Sequence, residues 1–397
     1  MPYNHDSMAT PQISAQGKRP TRRQRLRSFW ESVTEGFRLN ELWSQFKSEA
    51  QAGYGLYSRD VDWDAINQHR SRFTRMRLSA WALFRAMLMK LSPARRVLLL
   101  VAVVLLLFNP DFRFGNGQID LGFAWLGTLI LFVLLALELG DRVTMKRDLE
   151  IAREIQQWLV PNEPPQVLGI DIAFATRPQN TVAGDYYDAF LRPVLDAGAR
   201  KPSLLVVVAD VAGKSVPAAL LMATFQSGLR TLASTPASLD EIVTGLDRYA
   251  RAHSLEGRRF TTAFLAEIDP ETRAMRYVNA GHNDPILRRA TGQTERLSSG
   301  GPPFGLPLFT VAEINYASAT VQLQPGDLLF IFTDGVAEAV NEKGEEFGES
   351  RIMATILTMP SGSANAILNR VMADVNAFVG YARQHDDITA LVLRVIA

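Results

Sequence analysis

The chain has no cysteine and only five histidines in 397 residues. The missing thiol removes disulfide scaffolds, thiolate zinc centres and cysteine nucleophiles at once. So few imidazoles also argue against a histidine-built zinc site. Neither sign of charge dominates: 42 Lys and Arg stand against 41 Asp and Glu, for a formal net charge of +1. That balance excludes a uniformly basic polyanion binder, and no nucleic-acid partner is expected. No apolar stretch directly follows the N-terminal charges, so no signal peptide is expected. With soft donors scarce, acidic side chains are the available metal ligands, and they favour Mg²⁺ or Mn²⁺.

Long apolar runs, by contrast, are present. Val97–Phe108 is twelve consecutive apolar residues, and Leu121–Leu137 is seventeen residues without a charge. The second approaches the ~20 residues that span a bilayer. The first reaches that length only by recruiting its flanks. Arg95 and Arg96 precede the pair and Arg142, Lys146 and Arg147 follow it, whereas the connecting loop carries only Arg113. The positive-inside rule then predicts a transmembrane helical hairpin over 97–138, with both chain ends in the cytoplasm at the cell inner membrane.

Residues 1–28 hold the basic run Lys18, Arg19, Arg22, Arg23, Arg25 and Arg27 and predict a disordered tail. Residues 29–96 predict helices, the later part mixing arginines with Trp81, Phe84 and Leu88 as a helix at a lipid surface would. Residues 139–165 predict an amphipathic linker or switch helix, ended by Pro161, Pro164 and Pro165. Ile151, Ile155, Trp158 and Leu159 are expected to pack on the following domain, and the helix offers a face for a homodimer.

From 166 to 397 the pattern changes to short strands and helices. Strands are expected at Ile170–Ala175, Asp188–Leu191, Leu204–Ala209, Phe260–Ile268, Ala274–Ala280, Pro285–Arg289, Thr294–Leu297, Ala319–Leu323, Asp327–Thr333 and Ile388–Arg394. Helices are expected at Val216–Ala233, Leu239–Ser254, Ile352–Leu357 and Ala364–Val379. Strands that join mostly by hairpins predict antiparallel sheets with helices on their outer faces.

Four short stretches in this region centre on aspartate: Ala183-Gly-Asp-Tyr-Tyr-Asp188, Val208-Ala-Asp-Val-Ala-Gly-Lys214, Phe332-Thr-Asp-Gly-Val336 and His385-Asp-Asp-Ile-Thr389. Asp185, Asp210, Asp334 and Asp386 are candidates for one site. Four converging carboxylates repel one another unless cations hold them. Two divalent ions bridged by water would lower its pKa and clamp an in-line attack on phosphorus, which is chemistry that needs neither cysteine nor histidine.

The same stretches resemble a known family. Together with Ala152-Arg-Glu-Ile-Gln-Gln157, Pro217-Ala-Ala-Leu-Leu-Met222, Asn279-Ala-Gly-His-Asn283 and Gly326-Asp327, they look like the bacterial metal-dependent PPM (PP2C-like) serine/threonine phosphatases of the SpoIIE/RsbU type. The resemblance covers roughly residues 150–397. It implies an α+β fold, an α-β-β-α sandwich, with a two-metal centre at one end of the sheets. It places Mn²⁺ or Mg²⁺ ligands at Asp185, Asp210, Asp334 and Asp386, with the Val211 carbonyl as a further ligand. It also implies a phosphorylated regulatory protein as substrate, of the STAS anti-sigma-antagonist kind, and a helix before the core that acts as a switch. Two residues depart from the family pattern: Ala183 stands for the first glycine of Gly-Gly-Asp, and Ser215 for the last of Gly-Lys-Gly. His282, Asp188 and Asp387 read as structural. Lys214 is placed either to meet phosphate or to sit solvated at a helix edge. The competing expectation is a catalytically silent PPM-like scaffold at the membrane. A nucleotide-processing enzyme is disfavoured, because no Gly-x-x-x-x-Gly-Lys-Ser/Thr loop exists.

Overall fold

The computed structural model describes Ile66 and residues 71–396, apart from 109–110, 113–120, 197–198, 254–258, 299, 307–313 and 360. The expected N-terminal tail and most of the 29–70 stretch therefore lie outside the described residues. The chain divides into two compact units, Met1–Leu139 and Gly140–Ala397.

In the first unit, helix α1 (Arg72–Lys90) is capped by Ser71, whose side chain accepts from the Thr74 amide. Helix α2 (Pro93–Phe108) opens with proline at its first turn, where no amide hydrogen is needed. A two-residue ladder joins β1 (Asp111–Phe112) to β2 (Leu121–Gly122). Helix α3 (Ala124–Leu159) follows and runs for 36 residues. Near its start it lies against α2: a Cβ on Gly127 would come 2.9 Å from the Ala102 carbonyl oxygen. Arg95 also reaches Glu138 at 3.4 Å. Elsewhere both helices show apolar side chains outward, among them Leu107, Phe108 and Phe132. Among the described residues, α3 alone is long and apolar enough to cross a bilayer by length and composition. The 16 residues of α2 rise only ~24 Å, short of the ~30 Å hydrocarbon core.

The second unit is built on two five-stranded antiparallel sheets. One has the order β10-β7-β6-β5-β4 and the other β3-β12-β11-β8-β9. Their ranges are β3 (Ile170–Arg177), β4 (Tyr186–Asp196), β5 (Ala199–Val211), β6 (Thr261–Ile268), β7 (Ala274–Ala280), β8 (Ile286–Arg288), β9 (Thr294–Arg296), β10 (Ala319–Gln322), β11 (Leu328–Phe332) and β12 (Ile388–Val395). Helices α4 (Ser215–Ala233) and α5 (Leu239–Ala252) cover the first sheet, and α7 (Glu349–Thr358) and α8 (Ala364–Val379) the second.

Strand alternation explains these layers. In β5, Leu204, Val206 and Val208 face the other sheet, while Leu205, Val207 and Ala209 face the helices. In β11, Leu329 and Ile331 point between the sheets, and Leu328, Phe330 and Phe332 point to α7 and α8. Because both faces are covered, the central strands read as continuous apolar runs instead of alternating ones. The layer order is helix, sheet, sheet, helix, the expected α-β-β-α sandwich.

The structure also corrects several boundaries. β4 and β5 pair over eleven residues, from Tyr186↔Ala209 to Asp196↔Ala199, well beyond the expected Asp188–Leu191 and Leu204–Ala209. The extension carries Arg192, Pro193 and Lys201, polar or ring residues that hide a strand from periodicity. A four-residue helix, α6 (Asp334–Ala337), follows β11 where no helix is expected.

The linker helix does not meet the domain as its apolar residues predict. Ile151, Ile155 and Trp158 are exposed, Trp158 by 82%. Val160, just after α3, packs against both the inter-sheet core and the α4–α5 layer instead.

Candidate functional site

Alternation also sets the site. Tyr187 and Ala189 of β4 point between the sheets, so Asp185, two residues earlier, continues that face. Asp210 continues the inward row of Leu204, Val206 and Val208. The register Tyr186↔Ala209 puts the two acids opposite each other at one end of the sheet. In the second sheet β11 ends at Phe332 against Ala390 of β12, so Asp334 leaves the same end that Asp386 enters. All four aspartates therefore come from strand ends at one edge of the sandwich.

Hydroxyls and one carboxylate tie the two sheets together beneath them. Thr333 donates to Asp185 at 2.9 Å, and the Thr389 amide donates to Thr333 Oγ1 at 3.1 Å. Thr176 and Thr389 share a hydrogen bond of 2.8 Å. Asp387 accepts from the Gly184 and Gln179 amides, each at 2.6 Å, and so pins the loop that carries Asp185. Burial, as the leading cause, raises the Asp387 pKa.

Two glycines are required by close approach. A Cβ on Gly184 would sit 3.2 Å from the Val211 carbonyl oxygen and 3.1 Å from Ala218 Cβ. A Cβ on Gly335 would fall 1.9 Å from the Asp387 carbonyl oxygen. These contacts explain the Gly-Asp and Asp-Gly pairs of the sequence. Ser215, which stands where the resembled family has glycine, has φ +63°. That left-handed conformation suits glycine, and serine adopts it at a cost.

The electrostatics are those of crowded acids. Burial and then the Asp210 charge hold Asp185 well above the usual carboxylate range. Burial, followed by Asp334 and Asp386, pushes Asp210 up to about 7, and a hydrogen bond from Asp185 partly offsets this. Burial and then Asp386 raise Asp334. The nearest compensating cation is Lys214, whose Nζ lies 2.9 Å from Asp386 Oδ2 and also donates to the His385 carbonyl. Among the described residues, no three acidic or histidine side chains already form a closed ligand set. The donor chemistry nevertheless fits a divalent cation: hard oxygens, like charges within reach of one another, and one lysine to balance them.

Residues read as structural are placed as such. Asp188 is fully buried, with Arg230 Nε at 2.8 Å and the Tyr186 hydroxyl at 2.5 Å. His282 is buried, bonds Thr262 through Nδ1 at 3.0 Å, and is pushed down to about 4 by burial, so its ring is neutral at physiological pH.

Apolar periodicity overlooks one residue. Gln156, near the end of α3, donates to the Ala183 carbonyl at 2.7 Å and accepts from the Ala183 amide at 2.9 Å. This clamp lies two residues from Asp185. The available signal was the polar Gln156-Gln157 pair amid an otherwise apolar spacing.

With this geometry in hand, comparison with known proteins is decisive. Residues 201–396 match the family model "Stage II sporulation protein E (SpoIIE)". This unit is a SpoIIE-family, PP2C-like phosphatase domain. The chain is 27% identical over 311 residues to Protein IcfG of Synechocystis, covering 70% of this chain but only 47% of that protein. It is 27% identical over 255 residues to phosphoserine phosphatase RsbU of Bacillus subtilis, covering 64% of this chain and 72% of RsbU. Among solved structures, the SiaA-PP2C domain of Pseudomonas aeruginosa superposes with a TM-score of 0.55 at 20% identity, covering 64% of this chain and 98% of that domain. At that identity the superposition speaks to the fold, and the SpoIIE-family domain here shares it.

Proposed function

We propose that the SpoIIE-family domain is a metal-dependent protein serine/threonine phosphatase. Its site would be built by Asp185, Asp210, Asp334 and Asp386, with the Val211 carbonyl as a further oxygen donor. The observation that carries this reading is the convergence of the four aspartates at one end of the sandwich, with Asp210 raised to about 7 by its neighbours. Two bound Mn²⁺ or Mg²⁺ ions would supply an activated water and neutralise charge on the phosphoryl group.

The chain's own groups do the positioning. Asp387 fixes the loop of Asp185 through two amides, and Thr333 orients the Asp185 carboxylate from the opposite sheet. Gly184 lets the loop approach the Val211 carbonyl. The buried threonine layer closes the site from below, which limits water to the open rim. His282 is neutral and enclosed, so it is no general acid for the leaving serine.

The substrate would be a phosphoserine or phosphothreonine of a regulatory protein, of the STAS anti-sigma-antagonist kind. The printed name of RsbU, a phosphoserine phosphatase, supports the substrate class. The apolar length of α3 supports anchoring in the inner membrane with the domain on the cytoplasmic side. The exposed row Ile151, Ile155 and Trp158 supports a homodimer through the linker helix. Incubating the full chain with p-nitrophenyl phosphate and Mn²⁺ tests the activity. A phosphoprotein screen would then identify the substrate. Absence of metal-dependent hydrolysis by folded protein on any phosphoserine substrate would favour the silent-scaffold alternative.

A further inference from the structure

Next to Asp386 lies a cavity of about 160 Å³. Arg177, Lys214, Arg383 and His385 line it, with Glu338 and Asp386 as its acids. Lys214 is already engaged by Asp386. The two guanidiniums are different. Arg383 is exposed and has no ion pair among the described residues. Arg177 is half-buried, bonds only the neutral Asn376 side chain, and its Nε is buried with no hydrogen-bond partner. Burial without a facing carboxylate lowers its pKa. A guanidinium withdrawn from water and left short of acceptors is costly, and an oxyanion would satisfy it.

The surroundings hold this arginine in place. Arg177 ends β3 opposite Ile388 of β12. Gln384 Nε2 donates to the Arg177 carbonyl at 2.8 Å and to the Asp386 carbonyl at 2.6 Å. One amide thus fixes the cavity floor and the Asp386 loop together. The cavity has room for a phosphoryl group and the short stem that carries it, but not for a nucleotide.

We propose that this cavity is a phosphate-binding pocket, in which the Arg383 and Arg177 guanidiniums hold a phosphate dianion beside Asp386. The planar fork of arginine matches two phosphate oxygens at once. Glu338 on the wall opposes the anion, which keeps binding reversible. The inference deepens the phosphatase reading and rests on it for one point: the phosphate is that of substrate or product.

Isothermal titration of the full-length chain in Mn²⁺ tests this with two probes. One is orthophosphate; the other is a peptide carrying the non-hydrolysable phosphonomethylene analogue of phosphoserine. Arg383→Ala, an exposed position where the fold tolerates truncation, is expected to weaken both about tenfold, the loss of charge-assisted hydrogen bonds. Arg177→Lys keeps the charge, loses the fork, and should weaken both in the same direction. Arg370→Ala, on α8 and paired with Asp374 outside the cavity, serves as the control and should change neither. Loss of orthophosphate binding alone would support the pocket and assign it to free phosphate. Loss of the peptide alone would overturn the proposal, because Arg383 would then meet the peptide and not the phosphate. Unchanged affinity for both probes in both variants would overturn it as well. Separate assay of p-nitrophenyl phosphate keeps the two readings apart. Hydrolysis with Arg383-independent phosphate binding removes the pocket only. Arg383-dependent binding in a protein that hydrolyses nothing removes the phosphatase only.

Discussion

At the residue scale the acids decide behaviour. Asp210 is raised to about 7 from an ordinary value near 3.8. A carboxyl with a raised folded pKa binds its proton more tightly in the native state than in the unfolded one. Its contribution to stability is full below the unfolded value and is lost as pH rises through the folded value. Metal-free protein is therefore expected to melt at a lower temperature at pH 8 than at pH 5, with this cluster contributing about 2–4 kcal/mol of the difference. Mn²⁺ should abolish that slope, since bound cations favour the ionised acids. Differential scanning calorimetry with EDTA and with Mn²⁺ at both pH values checks this; a slope unaffected by metal would contradict it. Ser215 offers an independent test. Its φ of +63° is the conformation that glycine adopts freely. Ser215→Gly is expected to stabilise the domain by about 0.5–1 kcal/mol in denaturant unfolding, relief of strain outweighing the entropy of glycine. Destabilisation instead would mean that the serine side chain is needed there.

These residues differ in how well they can be read from sequence. The four aspartates stand beside glycines or strand ends, so their pattern is visible in the chain. Thr333 and Thr389 sit inside apolar strands, and only the alternation of packed sheets reveals that they face inward beneath Asp185. The pairing of Lys214 with Asp386 spans 172 positions and follows from tertiary structure alone.

At the scale of elements, the sandwich was legible because its strands are apolar on both faces and its helices are amphipathic. The long β4–β5 ribbon was not, because pairing continues through residues that carry no strand pattern. The end of α3 shows the same limit. Apolar spacing nominated Ile151, Ile155 and Trp158 as the docking face, yet the contact is made by Gln156 through two hydrogen bonds to Ala183. We expect Gln156→Ala to cost about 1–3 kcal/mol of domain stability, since a partly buried backbone pair loses both partners. It should also reduce Mn²⁺ affinity, because Ala183 leads directly into Asp185. Mn²⁺ titration followed by thermal shift separates the two effects. Unchanged metal affinity would make the helix a spacer and not a switch.

At the scale of the whole molecule, two units sit on one chain, and the reading joins a membrane anchor to a cytoplasmic phosphatase. Reporter fusions at Asn116 and at the C-terminus should report opposite sides of the membrane. Equal sidedness, or full recovery of the chain in the soluble fraction, would remove the hairpin and leave the domain assignment untouched.

The central claim is that aspartates from four strand ends act together as one metal-dependent phosphatase site. The most direct measurement is turnover of a phosphoserine substrate by wild type and by Asp334→Asn at saturating Mn²⁺, with circular dichroism to establish that both are folded. The substitution removes one charge with little change in size, and Asp334 lies at the half-exposed rim. The account predicts metal-dependent turnover by wild type and a loss of about a thousandfold or more in the variant, of the order seen when a transition-state charge loses its stabiliser. Wild-type turnover by folded Asp334→Asn would contradict it.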